Sequence, residues 1–123
     1  MEKFNLAEML NKECDIRLPY PGEQDWEFCA GDYKRTSDYI DFYHKYSSKM
    51  GDFDKYLLVN MIVQGVEDYM SYSDDKGYIV FLWDKTREIL IKDHHRNTIV
   101  YWSCIGEELE DCWLISPKMR ELL

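Results

Sequence analysis

The segment Phe53-Asp-Lys-Tyr-Leu-Leu-Val-Asn-Met-Ile-Val-Gln-Gly-Val-Glu-Asp-Tyr-Met-Ser-Tyr72 decides how the rest of the chain is read. At a helical period Leu58, Met61, Ile62, Gly65 and Tyr69 form one stripe, and Val59, Val63, Val66 and Met70 form a second beside it. Asn60, Gln64, Glu67 and Ser71 align as a narrow polar strip, with Asp68 at its margin. So wide an apolar arc predicts a central helix covered by neighbours on two or more sides, with the polar strip as its exposed side.

Upstream, Tyr39, Ile40, Phe42, Tyr43, Tyr46 and Met50 share one helical face, opposite Asp41, His44, Lys45, Ser48 and Lys49. Thr36 or Ser37 suits the start of this helix, and Lys45 and Lys49 offset the partial negative charge at its end. Gly51 suits a left-handed stop and Asp52 a cap for the next helix. A link this short predicts an antiparallel hairpin, with the aromatic face covering one stripe of the central helix. Asn5 to Cys14 predicts a further short helix carrying Leu6, Met9 and Leu10 on one side, with Asn5 as its cap and Glu8 at the capping-box position. Leu18-Pro-Tyr-Pro-Gly22 interrupts helix, and Glu23 to Lys34, with Trp26 and Phe28, reads as an irregular or extended arm.

Downstream, Ser73-Asp-Asp-Lys-Gly77 ends the central helix. Tyr78 to Trp83 is strand-like in composition, and Glu88-Ile-Leu-Ile-Lys92 would be its partner in a hairpin. A helix is favoured, because Ile79, Leu82, Trp83, Thr86, Ile89 and Leu90 share one face and Asp84-Lys-Thr-Arg87 lacks the glycine or asparagine of tight hairpins. Thr98 to Cys104 and Cys112 to Ser116 are β-branched and aromatic, which predicts two antiparallel strands around an acidic loop at Ile105 to Asp111. Pro117 would end the second strand, and Met119 to Leu123 would add a last turn. The expectation is one domain, 1–123, mainly α with some β (α+β): a helical bundle around a central helix at about 53–72, with a short C-terminal β-hairpin.

A chain of 123 residues buries about two-thirds of the surface its unfolded form exposes, so it needs no staple to fold. Its 15 Lys plus Arg against 24 Asp plus Glu give a net charge of −9, which disfavours nucleic acid and suits a basic protein partner. Ten Tyr, five Phe and four Trp supply either a thick core or a recognition surface. Cys14, Cys29, Cys104 and Cys112 include no C-x-x-C pair and no zinc-ligand spacing with histidine. The start of the chain lacks the pattern of a signal peptide, and the longest apolar runs, about six residues, are far short of a membrane span. A cytoplasmic protein with free thiols is expected. Cys104 and Cys112 would face each other across the hairpin, but reducing conditions argue against a disulfide there.

Catalytic chemistry finds little support. His94 and His95 are neighbours and point different ways, and His44 sits on the polar face of another helix. There is no glycine-flanked nucleophile, no Cys–His signature and no glycine-rich phosphate loop. The pairs Glu67-Asp68, Asp74-Asp75 and Glu107-Glu108 read as solvated surface. No catalytic residue, metal ligand or cofactor is therefore assigned. The distribution of acid is more informative. Glu107-Glu-Leu-Glu-Asp111, flanked by Tyr101, Trp102 and Trp113, joins negative charge to large aromatics, the residue types that dominate protein interfaces. Partner contacts are expected at Glu107, Glu108, Glu110, Asp111 and Trp113. The plainer reading, in which Trp102 and Trp113 face the core and the acids only solvate a turn, stays open.

Several stretches resemble a group of small acidic bacterial proteins: Asp25-Trp-Glu-Phe28, Asp38-Tyr-Ile-Asp-Phe-Tyr43, Met61-Ile-Val-Gln-Gly65, Trp83 with Ile89-Leu90, His94, Thr98-Ile-Val-Tyr-Trp102 and Leu109-Glu-Asp-Cys-Trp-Leu-Ile-Ser-Pro-Lys-Met-Arg120. Such proteins resemble the immunity partners of polymorphic or contact-dependent toxins. The resemblance implies a non-catalytic cytoplasmic protein that binds a cognate toxin and blocks its active surface. Many such toxins are nucleases with basic surfaces, towards which an acidic inhibitor is steered by charge. Two alternatives from other classes are a small enzyme with His94 or His95 as its acid–base residue, and a regulatory or stress adaptor.

Overall fold

The computed structural model describes residues 4–14 and 32–123. The break expected at Leu18 to Gly22 and most of the arm expected at Glu23 to Lys34 lie outside the described residues. Six α-helices account for most of the remainder: α1 Leu6–Cys14, α2 Thr36–Tyr46, α3 Asp52–Tyr72, α4 Lys76–Lys92, α5 Arg96–Ser103 and α6 Ser116–Arg120. Short 3-10 turns occupy Tyr33–Arg35, Ser47–Lys49 and Leu109–Asp111. The helical class is as expected, but among the described residues there is no strand, so the C-terminal β-hairpin is a misreading. Thr98–Cys104 is β-branched and aromatic, yet Thr98, Ile99, Trp102 and Ser103 are buried while Val100 and Tyr101 are exposed. That is a helical repeat of burial and not the alternation of a strand. Residue composition suggested β; the one-sided demand for burial decided helix.

The chain falls into two compact units, Met1–Gly65 and Val66–Leu123, with the boundary inside α3. In α3, Leu57 to Val63 are buried on every side of the helix. Two members of the expected exposed strip, Asn60 and Glu67, are also buried. Asn60 is accommodated because its Nδ2 donates to the Tyr56 carbonyl one turn back, at 2.8 Å.

In the first unit, Asn5 Oδ1 accepts from the Glu8 backbone N–H at 3.0 Å, as a helix cap should, and Leu6 and Leu10 are buried. Every residue of the expected aromatic face of α2, from Tyr39 to Tyr46, is buried, as is Met50. The start of α2 differs from expectation. Asp32 caps the preceding 3-10 turn through the Lys34 N–H, and Thr36 lies fully buried with its hydroxyl donating to the Tyr33 carbonyl at 2.6 Å. Arg35 Nη1 donates to the Cys14 carbonyl at 2.6 Å, where a cation offsets the negative end of α1. Glu13 accepts from the Tyr46 hydroxyl and pairs with Lys45 at 3.4 Å. The link to α3 passes through an extended Met50, and Gly51 does not take the left-handed conformation expected of it. A Cβ placed on Gly65 would collide with Thr36 Oγ1, so the start of α2 lies against this late turn of α3. With α2 leading directly into the start of α3, that contact makes the pair antiparallel, as expected.

In the second unit, α4 begins where Asp75 accepts from the Tyr78 N–H at 3.0 Å. The face predicted for it, Ile79, Leu82, Trp83, Thr86, Ile89 and Leu90, is buried throughout. The helix ends without glycine. His94 adopts φ 56°, its N–H bonds the Ile91 carbonyl at 3.3 Å, and the His95 N–H bonds the Leu90 carbonyl at 3.0 Å. These are the two bonds of a Schellman stop, with His94 in the left-handed position that glycine or asparagine favours. Ile99 and Trp102 of α5, Met119 of α6 and Ile115 just before α6 add to the buried set, and Ser116 Oγ donates to the Trp102 carbonyl at 2.8 Å.

Candidate functional site

Helix α5 stops at Cys104, which is left-handed (φ 55°) with its N–H on the Tyr101 carbonyl at 3.4 Å. The chain then turns through Gly106, at φ 93°, and through the Leu109–Asp111 turn to Cys112. That path brings the Cys104 and Cys112 Cα atoms to 5.9 Å, inside the span of a disulfide, and the two are bonded. The two cysteines face each other as expected, across a compact turn and not a hairpin, but the expectation of free thiols at these positions, which rested on reducing conditions alone, is overturned. Cys14 is a free thiol, and burial pushes its pKa up to about 11.

Two further anchors hold this ring. Arg120, on α6, donates from Nε to the Ser103 carbonyl at 2.8 Å and from Nη2 to the Cys104 and Glu107 carbonyls at 2.7 and 2.9 Å. Its cation thus satisfies the Ser103 and Cys104 carbonyls that the end of α5 leaves without helical partners, and ties the loop to them at Glu107. Beyond the ring, the Glu67 carboxylate accepts from the Leu114 and Ile115 N–H groups at 3.1 and 2.9 Å. Glu67 is 7 % exposed, and burial pushes its pKa above the ordinary 4.5 although those two N–H bonds pull the other way. A residue expected on solvated surface is therefore a buried anchor for the chain entering α6.

The ring carries Glu107, Glu108, Glu110 and Asp111, all exposed, and no basic residue. Among the described residues no ion pair neutralises these four carboxylates. Trp102 is buried, and Trp113 is half-buried between it and Tyr101, with ring centroids 4.7 and 5.2 Å away. Of the two aromatics, then, Trp102 serves the core and Trp113 lines its margin. Tyr101, named from sequence beside the acidic run, is 50 % exposed, and sequence reasoning missed three further apolar side chains there: Ile105 is 60 % exposed, Leu114 52 % and Leu109 48 %. Four large exposed hydrophobics in and beside one loop, interleaved with carboxylates, match the composition of a recognition surface better than that of a solvated turn. The available signal was Leu109 within the acidic run and Ile105 just before it, both between two cysteines.

His94 and His95 are placed by the Schellman stop. His94 also borders a surface groove of about 230 Å³ with Leu90, Ile91, Arg96, Ile99 and Leu122. Among the described residues no group of three His, Cys, Asp or Glu is arranged to hold a metal ion, and no helix is long and apolar enough to cross a membrane. Comparison with family models, with curated proteins and with solved structures finds no match.

Proposed function

We propose that this chain is a non-catalytic binding protein that takes a basic protein partner on the face formed by Glu107, Glu108, Glu110 and Asp111 with Tyr101, Leu109, Trp113 and Leu114. One observation carries this reading: a loop closed by a disulfide and pinned by Arg120 presents unpaired carboxylates and exposed apolar side chains together. A surface held in one shape before binding loses less conformational entropy on association, and the apolar groups supply contact area while the acids steer and select. Combined with the sequence resemblance, this supports an immunity protein of the cytoplasm that neutralises a cognate toxin, a nuclease being the partner best matched in charge.

Co-expression with the product of the adjacent gene tests the proposal. Growth arrested by that product should recover when this chain is present, and the two proteins should co-purify. Recovery should be lost when Glu107, Glu108 and Glu110 are all changed to Lys in a variant that still folds. Full protection by that variant would refute the assignment of the surface.

A further inference from the structure

We propose that the Cys104–Cys112 disulfide is a reversible latch on the acidic loop, opened by a dithiol reductant and closed by exchange with a small-molecule disulfide, which takes up the two electrons and leaves as its two thiols. Its state sets whether the loop is ordered for its partner; that second half rests on the binding role proposed above.

Apart from the disulfide, Arg120 holds only the Cys104 and Glu107 carbonyls at the start of the ring, and little else fixes the residues beyond them. The ring's backbone hydrogen bonds are local, from Glu107 to Cys104, Asp111 to Glu108 and Cys112 to Leu109, at 3.4, 2.9 and 3.1 Å. Residues 105–111 are all exposed, so no core packing fixes them. A segment with few buried contacts and short-range hydrogen bonds sits at the low-stability end of a fold once its covalent tie is removed. Cys104 adds to this, because a non-glycine residue in the left-handed region is strained and persists only where its surroundings hold it.

Access and charge make exchange practicable. Both cysteines are partly exposed, unlike the buried Cys14. Arg120 Nη2 lies 3.7 Å from Cys112 Sγ, so a cation is in place to stabilise a thiolate forming on that sulfur. The favoured path is attack by one thiolate of the reductant on Cys104 Sγ, which breaks the S–S bond and expels Cys112 as the thiolate. The second thiol of the reductant, deprotonated, then attacks its own sulfur in the mixed disulfide and releases the Cys104 thiolate. Two electrons pass to the protein, the reductant leaves as a cyclic disulfide, and each cysteine thiolate takes a proton as pH dictates. Disulfides in reducing compartments are usually of this transient, sensing kind.

The test uses the full chain, dithiothreitol as the dithiol, iodoacetamide trapping with peptide mapping, and amide hydrogen exchange. The expected result is reduction while the helices stay folded, with amides of 105–114 exchanging at least tenfold faster, those of α4 unchanged, and protection restored when dithiothreitol is replaced by oxidised glutathione. In the reduced protein Cys112 should alkylate faster than Cys104 below pH 8; equal rates would overturn the assignment of Cys112 as the leaving sulfur. The variant Cys104→Ser/Cys112→Ser should match the reduced protein. Reduction that proceeds only with global unfolding, or a loop equally protected in all forms, overturns the latch. Reduction should also weaken association with the partner at least tenfold. If reversal of the acids weakens binding but reduction does not, the regulatory half fails and the binding surface stands. If neither weakens it, the surface reading fails and the latch is judged on exchange alone.

Discussion

Glu67→Gln removes the charge from a buried carboxylate while keeping its length, so it separates two opposed effects on the chain entering α6. In the native protein both carboxylate oxygens accept backbone N–H groups, from Leu114 at 3.1 Å and Ile115 at 2.9 Å. Hydrogen bonds to a charged acceptor are worth about 1.5–3 kcal/mol each. The glutamine oxygen can keep one of them, while its NH2 group meets the other N–H and leaves that donor without a partner, at about 1–3 kcal/mol. Against this, glutamine escapes the desolvation that raises the Glu67 pKa above 4.5. Loss of about 1–2 kcal/mol at neutral pH is expected, measured by urea unfolding. The pH dependence is more telling. A carboxyl whose folded pKa lies above its unfolded value binds more protons when folded across the window between the two, so its stabilising contribution is complete below about 4.5 and is lost as pH rises through the folded value. The stability advantage of wild type over Glu67→Gln should therefore shrink as pH is raised from 4 towards neutrality. An advantage that grows with pH would mean that the two N–H bonds outweigh desolvation, and would refute the reasoning.

Gly65→Ala should destabilise by up to about 2 kcal/mol, because a collision with Thr36 costing about 1–3 kcal/mol is set against a helix-propensity gain of about 1 kcal/mol. Adding Thr36→Ala should recover part of that loss, which a double-mutant cycle by urea unfolding will read as favourable coupling. Arg120→Gln breaks three charge-assisted bonds to the carbonyls of Ser103, Cys104 and Glu107 and should cost about 2–4 kcal/mol, with faster amide exchange in the loop. Cys104→Ser/Cys112→Ser opens a ring of sequence separation 8 and should cost about 2–3 kcal/mol by the loop-closure relation, read as a lower denaturation midpoint.

Helix periodicity was the most legible part of this chain. The stripes of α2 and α4 could be read residue by residue, because their buried faces repeat every three to four positions and nothing in their interiors breaks the pattern. The tail resisted reading for three physical reasons. Val100 and Tyr101 favour strands, but they are exposed residues of a helix and do not decide its burial. His94 and Cys104 stop their helices in left-handed conformations without the glycine that would announce the stop. Glu67 sits in an otherwise polar strip, and its burial follows from two backbone amides 47 and 48 residues away. The acidic loop itself was found from sequence, since charge and aromatic composition are local properties. Its closure by the disulfide, the Arg120 anchor and the apolar side chains among its acids required the three-dimensional path of the chain.

The most direct test of the binding surface is the association rate with the adjacent gene's product, measured by stopped flow at several salt concentrations. The comparison is between wild type and the Glu107→Lys/Glu108→Lys/Glu110→Lys variant. Each substitution adds two charge units, which takes the net charge from −9 to −3 and inverts the sign of the ring's dominant charges. Electrostatic steering contributes about 10- to 1,000-fold to association rates and is screened by salt. The account predicts that the variant associates at least tenfold more slowly at low salt and loses most of its salt dependence. An unchanged rate with an unchanged salt response would contradict it.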